Sequence, residues 1–217
     1  MTDKNLVNHL SVQQYIFWDF DGVIKDSVEV KSSAFEQLFK TFGINVANKV
    51  KCHHEANSGI SRFDKLPIYL EWSGQHPTQA LIQCYSEKFS RLVKQKVIES
   101  EWVPGVLNYL EINSKNQIFF LITATPQAEI EEILNTLEIQ QYFRKVIGAP
   151  TNKKNALKML LDEYSVTPYQ AIMIGDSNSD YDAALVNQIP FVLRRTNLNW
   201  KLQERLNCLT IEDFCHE

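Results

Sequence analysis

The sequence lacks any hydrophobic run long enough to cross a bilayer. Its longest apolar candidate, residues 118–122, has the length of a buried strand, whereas a transmembrane helix needs about 20 apolar residues. Residues 1–10 mix polar and charged side chains and lack the apolar stretch of a signal peptide. These absences argue against a membrane partner, and the expected location is the cytoplasm.

Cysteine and excess basic charge are also scarce. The chain of 217 residues has four cysteines, contains no CxxC pair and carries a net charge of −4. Widely spaced cysteines are typical of free thiols in a reducing compartment. Cys52 adjoins His53 and His54, but zinc is not expected because adjacent side chains rarely point at one metal. The negative charge argues against a nucleic-acid partner bound by an overall basic surface.

The sequence does contain an alternation of short apolar runs with amphipathic helical patterns. The runs predict strands at 15–18, 118–123, 145–148, 171–175 and 190–193. Helices are predicted around the later strands, at 105–113, 127–138, 153–164 and 179–187. Such an alternation is typical of parallel strands joined by crossover helices.

Residues 28–100 interrupt this alternation, because they carry helical patterns and no strand-like run. Helices are expected at 29–42, 62–72 and 78–97, with breaks near Gly59 and at 74–77. The sequence therefore predicts an α/β fold in which a Rossmann-like parallel sheet carries an inserted all-α domain. The predicted α/β core domain comprises residues 1–25 and 103–217, and the predicted helical cap domain comprises residues 26–102.

Acidic side chains follow two of the predicted strands. Asp19 and Asp21 come directly after the first strand, and Asp176 and Asp180 follow the strand at 171–175. Ligands of open α/β sheets bind outside the carboxyl ends of the strands, where these side chains are expected to meet. Carboxylates placed so close repel one another unless a cation lies between them. Mg²⁺ is the hard divalent cation that best suits such oxygen ligands.

A hydroxyl and a lysine complete the pattern. Thr123 ends a predicted strand, and Lys153 opens the helix before the strand at 171–175. A lysine, a hydroxyl and a cation around one point suit a phosphoryl group, whose charge must be neutralised during transfer. The sequence has no GxxxxGK(S/T) loop, so a carboxylate is the candidate nucleophile and would form an aspartyl phosphate. Lys153 is favoured over Lys154 because it lies on the apolar face of its helix.

Four segments together resemble the sequence motifs of the haloacid dehalogenase superfamily, in the branch whose cap is a helical insertion after the first strand. The segment at 17–23, FWDFDGV, resembles the first motif, hhhDxDGh, and that at 121–123 resembles the second, an apolar strand ending in Thr or Ser. Lys153 resembles the third motif, and the segment at 175–180, GDSNSD, resembles the fourth, GDxxxD. The match covers most of the chain, and the first and fourth motifs are specific together.

The resemblance implies roles for the acidic residues. Asp19 would attack phosphorus and bind Mg²⁺. Asp21 would protonate the leaving oxygen, then activate water, and would bind the metal through its backbone carbonyl. Asp176 would bind the metal, and Asp180 would bind it or orient its waters. An acid at position 21 also favours phosphate chemistry, because the dehalogenases of the superfamily have none there.

The resemblance also implies roles for the other motif residues. Thr123 would hydrogen-bond a phosphoryl oxygen, and Lys153 would neutralise charge on the nucleophile and the phosphate. Ala124, which follows Thr123, is counted with the substrate-binding residues.

The segment at 59–62, Gly-Ile-Ser-Arg, resembles the GxSR segment in the cap of β-phosphoglucomutase-like members. That resemblance makes Gly59, Ser61 and Arg62 substrate-binding candidates, with Arg62 holding a second phosphate or a carboxylate of the substrate. The alternative, given equal weight, is a serine at a helix N-terminus followed by a solvated arginine. Lys65 could assist, although a solvated position is favoured for it.

The expected activity is hydrolysis of a small phosphorylated metabolite, such as a sugar phosphate or phosphoglycolate. The sugar-phosphate mutases carry a histidine in the first cap helix where this sequence has Lys31, which lowers the weight of a mutase. A mutase and a non-enzymatic binding module on the same fold remain the alternatives. The sequence leaves open whether the protein is a monomer or a homodimer, and whether residues 200–217 pack on the core or support a partner.

Overall fold

The computed structural model describes residue 10 and residues 12–215. Within them, six strands form one sheet: β1 (Tyr15–Trp18), β2 (Ile118–Pro126), β3 (Phe143–Ala149), β4 (Ala171–Gly175), β5 (Phe191–Arg194) and β6 (Leu209–Ile211). Their order across the sheet is β3-β2-β1-β4-β5-β6, and every pairing is parallel. The predicted α/β class with a Rossmann-like parallel sheet is confirmed.

β1 lies in the middle of the sheet because its side chains are apolar on both faces. Ile16 and Trp18 belong to one hydrophobic cluster, and Phe17 belongs to the cluster on the opposite face. All three are fully buried, as is typical of a parallel strand covered by helices on both sides. Trp18 pairs in register with Leu121 of β2 and with Ile174 of β4. Residues just beyond these positions therefore lie together at the carboxyl edge.

Helices occupy the chain between β1 and β2: α1 (Val28–Phe39), α2 (Ile44–Ala56), α3 (Arg62–Trp72) and α4 (Gln79–Glu99). We call this group the inserted helices; no strand lies between residues 26 and 101, which are all described. The later helices are α5 (Val106–Asn113), α6 (Gln127–Thr136), α7 (Lys153–Glu163), α8 (Asn178–Val186) and α9 (Trp200–Arg205). Among the described helices, none combines the length and the apolar character that a membrane crossing requires.

The two connections to the inserted helices run side by side. The backbone N–H of Asp26 donates to the carbonyl of Glu101 at 2.8 Å, and the N–H of Val103 donates to the carbonyl of Ile24 at 3.0 Å. Between them, the buried Lys25 ammonium donates to the Ile98 carbonyl at 3.1 Å. These bonds fix where the insertion leaves the sheet. The domain boundaries at residues 26 and 102 stay a prediction.

The sequence did not reveal α2, α9 or β6. α2 has 13 residues but buries only Ala47, Val50 and His54, so its apolar pattern is weak. β6 has only three residues, yet it pairs with β5, and Phe214 beyond it contacts the ring of Trp18. The C-terminal stretch, whose role the sequence left open, therefore packs on the core in its described part, up to residue 215.

We expect Phe214→Ala to lower the free energy of unfolding by about 3 to 5 kcal/mol, because truncating a buried phenylalanine leaves a cavity. The Phe214 side chain is 1% exposed, and its ring centroid lies 5.2 Å from that of Trp18 and 5.7 Å from that of Tyr109. Urea unfolding followed by circular dichroism measures the loss. Trp200→Ala is the control: Trp200 is 52% exposed, and its loss should cost about 0.5 kcal/mol or less. Equal losses in both variants would contradict the packing of the C-terminal segment.

Candidate active site

The predicted aspartates and Thr123 lie at one edge of the sheet, where β1 and β4 end and β2 continues to Pro126. Asp19 follows Trp18 at the end of β1, and its backbone N–H donates to the Ile174 carbonyl of β4 at 3.0 Å. Thr123 lies two residues beyond the β2 position that pairs with Trp18, and Asp176 lies two residues beyond the corresponding position of β4. The parallel register thus brings side chains that are far apart in sequence to one edge of the sheet.

Three buried carboxylates converge at this edge. One oxygen from each of Asp19, Asp176 and Asp180 lies within 4.8 Å of the other two. Burial, reinforced by the charge of Asp180, raises the pKa of Asp19 to about 7. Burial and the charges of Asp19 and Asp180 likewise raise the pKa of Asp176 well above its usual value. Both shifts express the cost of placing like charges together away from water.

Two glycines make this convergence possible. Gly22 has a φ of +75°, and a Cβ built there would overlap the carboxylate of Asp176. A Cβ at Gly175 would overlap the side chain of Asp180. Glycine at position 22 therefore meets two needs at once, a left-handed backbone and a close approach of the chain to a carboxylate.

Lys153 is the cation within the acidic cluster. Its Nζ lies 2.7 Å from Oδ2 of Asp19 and 2.6 Å from Oδ1 of Asp180, and the side chain is 4% exposed. Although burial acts against it, the charges of Asp180 and Asp19 raise the pKa of Lys153. Lys154 points outward instead, half-exposed and 3.9 Å from Asp182. The structure thus places Lys153, and not its neighbour, at the cluster.

The acidic cluster fits a divalent cation. One ammonium faces three carboxylates, which leaves an excess of two negative charges when all of them are ionised. Oxygen ligands of this kind and charge suit Mg²⁺. The raised pKa values of Asp19 and Asp176 also favour a bound cation, because a cation between the carboxylates would relieve their repulsion.

Asp21 lies apart from this cluster and contacts the inserted helices. Its carboxylate accepts hydrogen bonds from Ser27 Oγ at 2.6 Å and from Thr125 Oγ1 at 3.3 Å, and it forms an ion pair with Lys31 of α1. Burial acts to raise the pKa of Asp21, but the Lys31 ammonium outweighs burial and lowers it. Lys31 also donates to Thr125 Oγ1 at 2.8 Å. The sequence analysis noted Lys31 only for its position and did not identify Thr125.

A cavity of about 390 Å³ brings together several predicted residues. Lys153, Ala124, Gly59 and Ser61 all line it, whereas Arg62 does not. Ser61 also caps α3, because its Oγ accepts from the backbone N–H two residues later, at position 63, at 3.3 Å. The cavity is formed between the loop that precedes α3 and the carboxyl edge of the sheet.

Gly59 is the point where this loop touches the sheet edge. The carbonyl of Gly59 accepts a hydrogen bond from Ser179 Oγ at 2.8 Å. A Cβ at Gly59 would overlap the hydroxyls of Ser177 and Ser179. The missing side chain thus lets the loop approach the residues between Asp176 and Asp180.

Arg62 is buried and ion-paired rather than solvated. Its guanidinium is buried and forms two hydrogen bonds with Glu129 of α6, at 2.9 and 2.5 Å. Ser90 of α4 accepts a further bond at 2.6 Å, and the guanidinium carbon lies 4.6 Å from the ring centroid of Phe89. The solvated alternative for Arg62 is therefore wrong, because Glu129 and α4 enclose the side chain. Its contact with a substrate anion stays a prediction.

Lys65 differs from expectation. The sequence favoured a solvated position for it, but Lys65 is 2% exposed, as is His54. Both lie inside the inserted helices, where Lys65 Nζ is 2.8 Å from His54 Nδ1. Lys65 is one helical turn before the buried Tyr69, and His54 is one turn after the buried Val50, so helical spacing was the signal that could have found them.

Comparisons with known proteins agree with this arrangement. A family model described as haloacid dehalogenase-like hydrolase matches residues 16–193. Phosphoglycolate phosphatase 1 of Pseudomonas aeruginosa is 25% identical over 179 residues, which cover 78% of this chain and 64% of that protein. The phosphorylated carbohydrates phosphatase of Thermotoga maritima is 25% identical over 180 residues, which cover 78% of this chain and 79% of that protein.

The fold is also that of solved structures. The crystal structure of beta-phosphoglucomutase from Clostridium difficile superposes with a TM-score of 0.74 at 23% identity, covering 93% of this chain and 92% of that one. At this level of identity the similarity concerns the fold alone. The family model, by contrast, matches the sequence itself, and its residues 16–193 include the strand ends and every site residue described above. The chain therefore belongs to the haloacid dehalogenase-like hydrolase family, as its motifs indicated.

Proposed function

We propose that the protein hydrolyses a small phosphorylated metabolite with the help of Mg²⁺, through an aspartyl phosphate (an acyl phosphate) formed on Asp19. The enzyme is a phosphatase, in keeping with its family and its curated relatives. The observation that carries the mechanism is the buried cluster of Asp19, Asp176, Asp180 and Lys153 at the carboxyl ends of β1 and β4.

The metal would be held by the carboxylates of Asp19 and Asp176 and by the backbone carbonyl of Asp21, with Asp180 binding it or orienting its waters. When bound, Mg²⁺ supplies positive charge that offsets the negative charge of the phosphoryl oxygens. Lys153 acts from the other side of the cluster: it orients Asp19 and adds positive charge near the same oxygens. Thr123, which is buried within β2 three residues before its end, would donate its hydroxyl hydrogen to a phosphoryl oxygen.

In the first step, a carboxylate oxygen of Asp19 attacks phosphorus, and the bond to the leaving alcohol breaks. Asp21 donates a proton to the leaving oxygen and then accepts a proton from the water that hydrolyses the aspartyl phosphate. The contact with Lys31 favours the ionised form of Asp21, which is the form needed for the second step. For the first step Asp21 must carry a proton, so we expect its contact with Lys31 to loosen when the ester binds.

The substrate class follows from the cavity and the relatives. A cavity of about 390 Å³ beside Lys153 suits a small metabolite. The curated relatives include a phosphoglycolate phosphatase and a phosphatase of phosphorylated carbohydrates. We propose the same chemical range for this enzyme, with residues 26–102 acting as a cap that closes over the ester and selects it.

We expect Asp19→Asn to lower phosphate release by roughly a thousandfold or more, because the amide cannot attack phosphorus. The measurement is phosphate release from a panel containing phosphoglycolate and sugar phosphates. Wild type and variant are compared with Mg²⁺ and with a chelator, and circular dichroism verifies that the variant is folded. Wild-type activity should vanish with the chelator and return when Mg²⁺ is added.

Two outcomes would contradict the proposal. Activity in Asp19→Asn close to that of wild type would exclude the nucleophile. Isomerisation of a sugar phosphate that requires a bisphosphate activator, with no net phosphate release, would establish a mutase instead.

The neighbouring lysines offer a matched pair of variants. We expect Lys153→Met to lower kcat by roughly a hundredfold or more, because a buried charge beside the nucleophile is lost. Lys154→Met, the same substitution one residue on, should leave kcat nearly unchanged, because the half-exposed Lys154 lines the cavity but pairs with Asp182 and not with Asp19. Steady-state kinetics on the best ester measures both, and a larger loss in Lys154→Met would overturn the assignment.

A further inference from the structure

Lys65 of α3 is a buried cation without an acidic partner. Its side chain is 2% exposed, and its Nζ lies 2.8 Å from His54 Nδ1 and donates to the Asn57 carbonyl at 3.1 Å. The ring of Phe35 lies beneath it, with the centroid 5.5 Å from Nζ. In the described part of the chain, no carboxylate comes within ion-pair distance of this ammonium.

The neighbouring basic side chains Lys31 and Arg62 each have a carboxylate partner. Lys31 pairs with Asp21, and Arg62 pairs with Glu129 through two hydrogen bonds. Burying a charge is costly unless a partner of opposite sign accompanies it. Burial, together with the charges of Lys31 and Arg62, holds the pKa of Lys65 well below its usual value. An anion brought to this position would relieve that cost.

Lys65 lies near the part of α1 that contacts the proposed acid. Phe35, under the Lys65 ammonium, is one helical turn beyond Lys31 on α1 and therefore shares its face. Lys31 in turn contacts the carboxylate of Asp21, which is the proposed acid for the leaving oxygen. The charges of Lys31 and Asp21 both act on the pKa of Lys65, so Lys65 lies within electrostatic range of that acid.

We propose that Lys65, rather than Arg62, recognises a negatively charged group on the leaving part of the substrate. Resting on the proposed function, this narrows the substrate to phosphate esters whose alcohol carries a carboxylate or a second phosphate. Arg62 already has its charge satisfied by Glu129 inside the protein. Lys65 has only neutral partners, and opening of the cap would give the substrate anion access to it.

A purely structural role for Lys65 makes a different prediction. Its contacts with His54 and with the carbonyl of Asn57 lie at the C-terminal end of α2, where a cation stabilises a helix. If that were its whole role, replacing Lys65 would destabilise the protein and lower activity towards all esters alike. Only recognition of an anion makes the loss depend on the charge of the leaving alcohol.

The test compares esters that differ in one charged group. Phosphoglycolate is paired with 2-hydroxyethyl phosphate, and 3-phosphoglycerate with glycerol 3-phosphate, so that a hydroxymethyl group replaces the carboxylate in each pair. We expect wild type to favour the carboxylate member by about tenfold or more in kcat/KM, as one charge-assisted hydrogen bond allows. In Lys65→Met this ratio should fall towards one, mainly through a higher KM for the carboxylate member. Activity towards the neutral member should be retained.

Two variants control for charge and folding. Lys88→Met makes the same substitution at an exposed lysine of α4 and should keep the wild-type ratio. Lys65→Gln retains a donor for the Asn57 carbonyl but removes the charge, so it should lose the ratio even if Lys65→Met folds poorly.

The double variant Arg62→Met with Glu129→Met decides between the two cations. It removes a matched pair, so it should keep the preference for the carboxylate esters even if its overall activity falls. Loss of the preference in this variant, with retention in Lys65→Gln, would assign the recognition to Arg62 and overturn the proposal. Equal loss on both members of each pair in Lys65→Gln would also overturn it. If wild type hydrolysed no ester at all, the proposed function itself would fail, and this inference with it.

Discussion

The repulsion among buried carboxylates at the ends of β1 and β4 is the constraint on which the rest of the site depends. Asp19, Asp176 and Asp180 lie close enough to share a cation, and Lys153 offsets only part of their charge. Such a cluster is stable only where the backbone holds it rigidly and where a further cation can enter. The central position of β1 and the glycine at position 22 provide the first condition. The proposed metal provides the second.

Ion pairs connect the inserted helices to the α/β core. Asp21 and Glu129 each meet one cation, and these ion pairs join α1 and α3 to the end of β1 and to α6. The buried Lys65 has no ion-pair partner among the described residues, and the proposed recognition would give the site an acidic part and a basic part, with Asp21 between them. That division suits an ester with a transferable phosphate at one end and another anion at the other.

The sheet edge carries the features that this chain shares with its family, and the inserted helices carry those that distinguish it. The family match shows the family and supports the chemistry proposed for the sheet edge, where the motif residues lie. The inserted helices carry the features that distinguish this chain, among them the pairing of Arg62 with Glu129 and the burial of Lys65. The cavity is lined by residues of both the insertion and the core, and the insertion supplies the part of the lining that lies outside the motifs.

The sequence by itself determined the family, the α/β class, the strand ends that carry chemistry and the preference for Lys153 over Lys154. It could do so because strand periodicity and motif spacing are local properties of the chain. The structure alone decided the partners of the charged side chains, because an ion pair such as Arg62 with Glu129 joins residues far apart in sequence. It also established α2, β6 and the neutral partners of the buried Lys65. The apolar pattern of α2 is weak and β6 is short, and the partners of Lys65 depend on how the helices pack together.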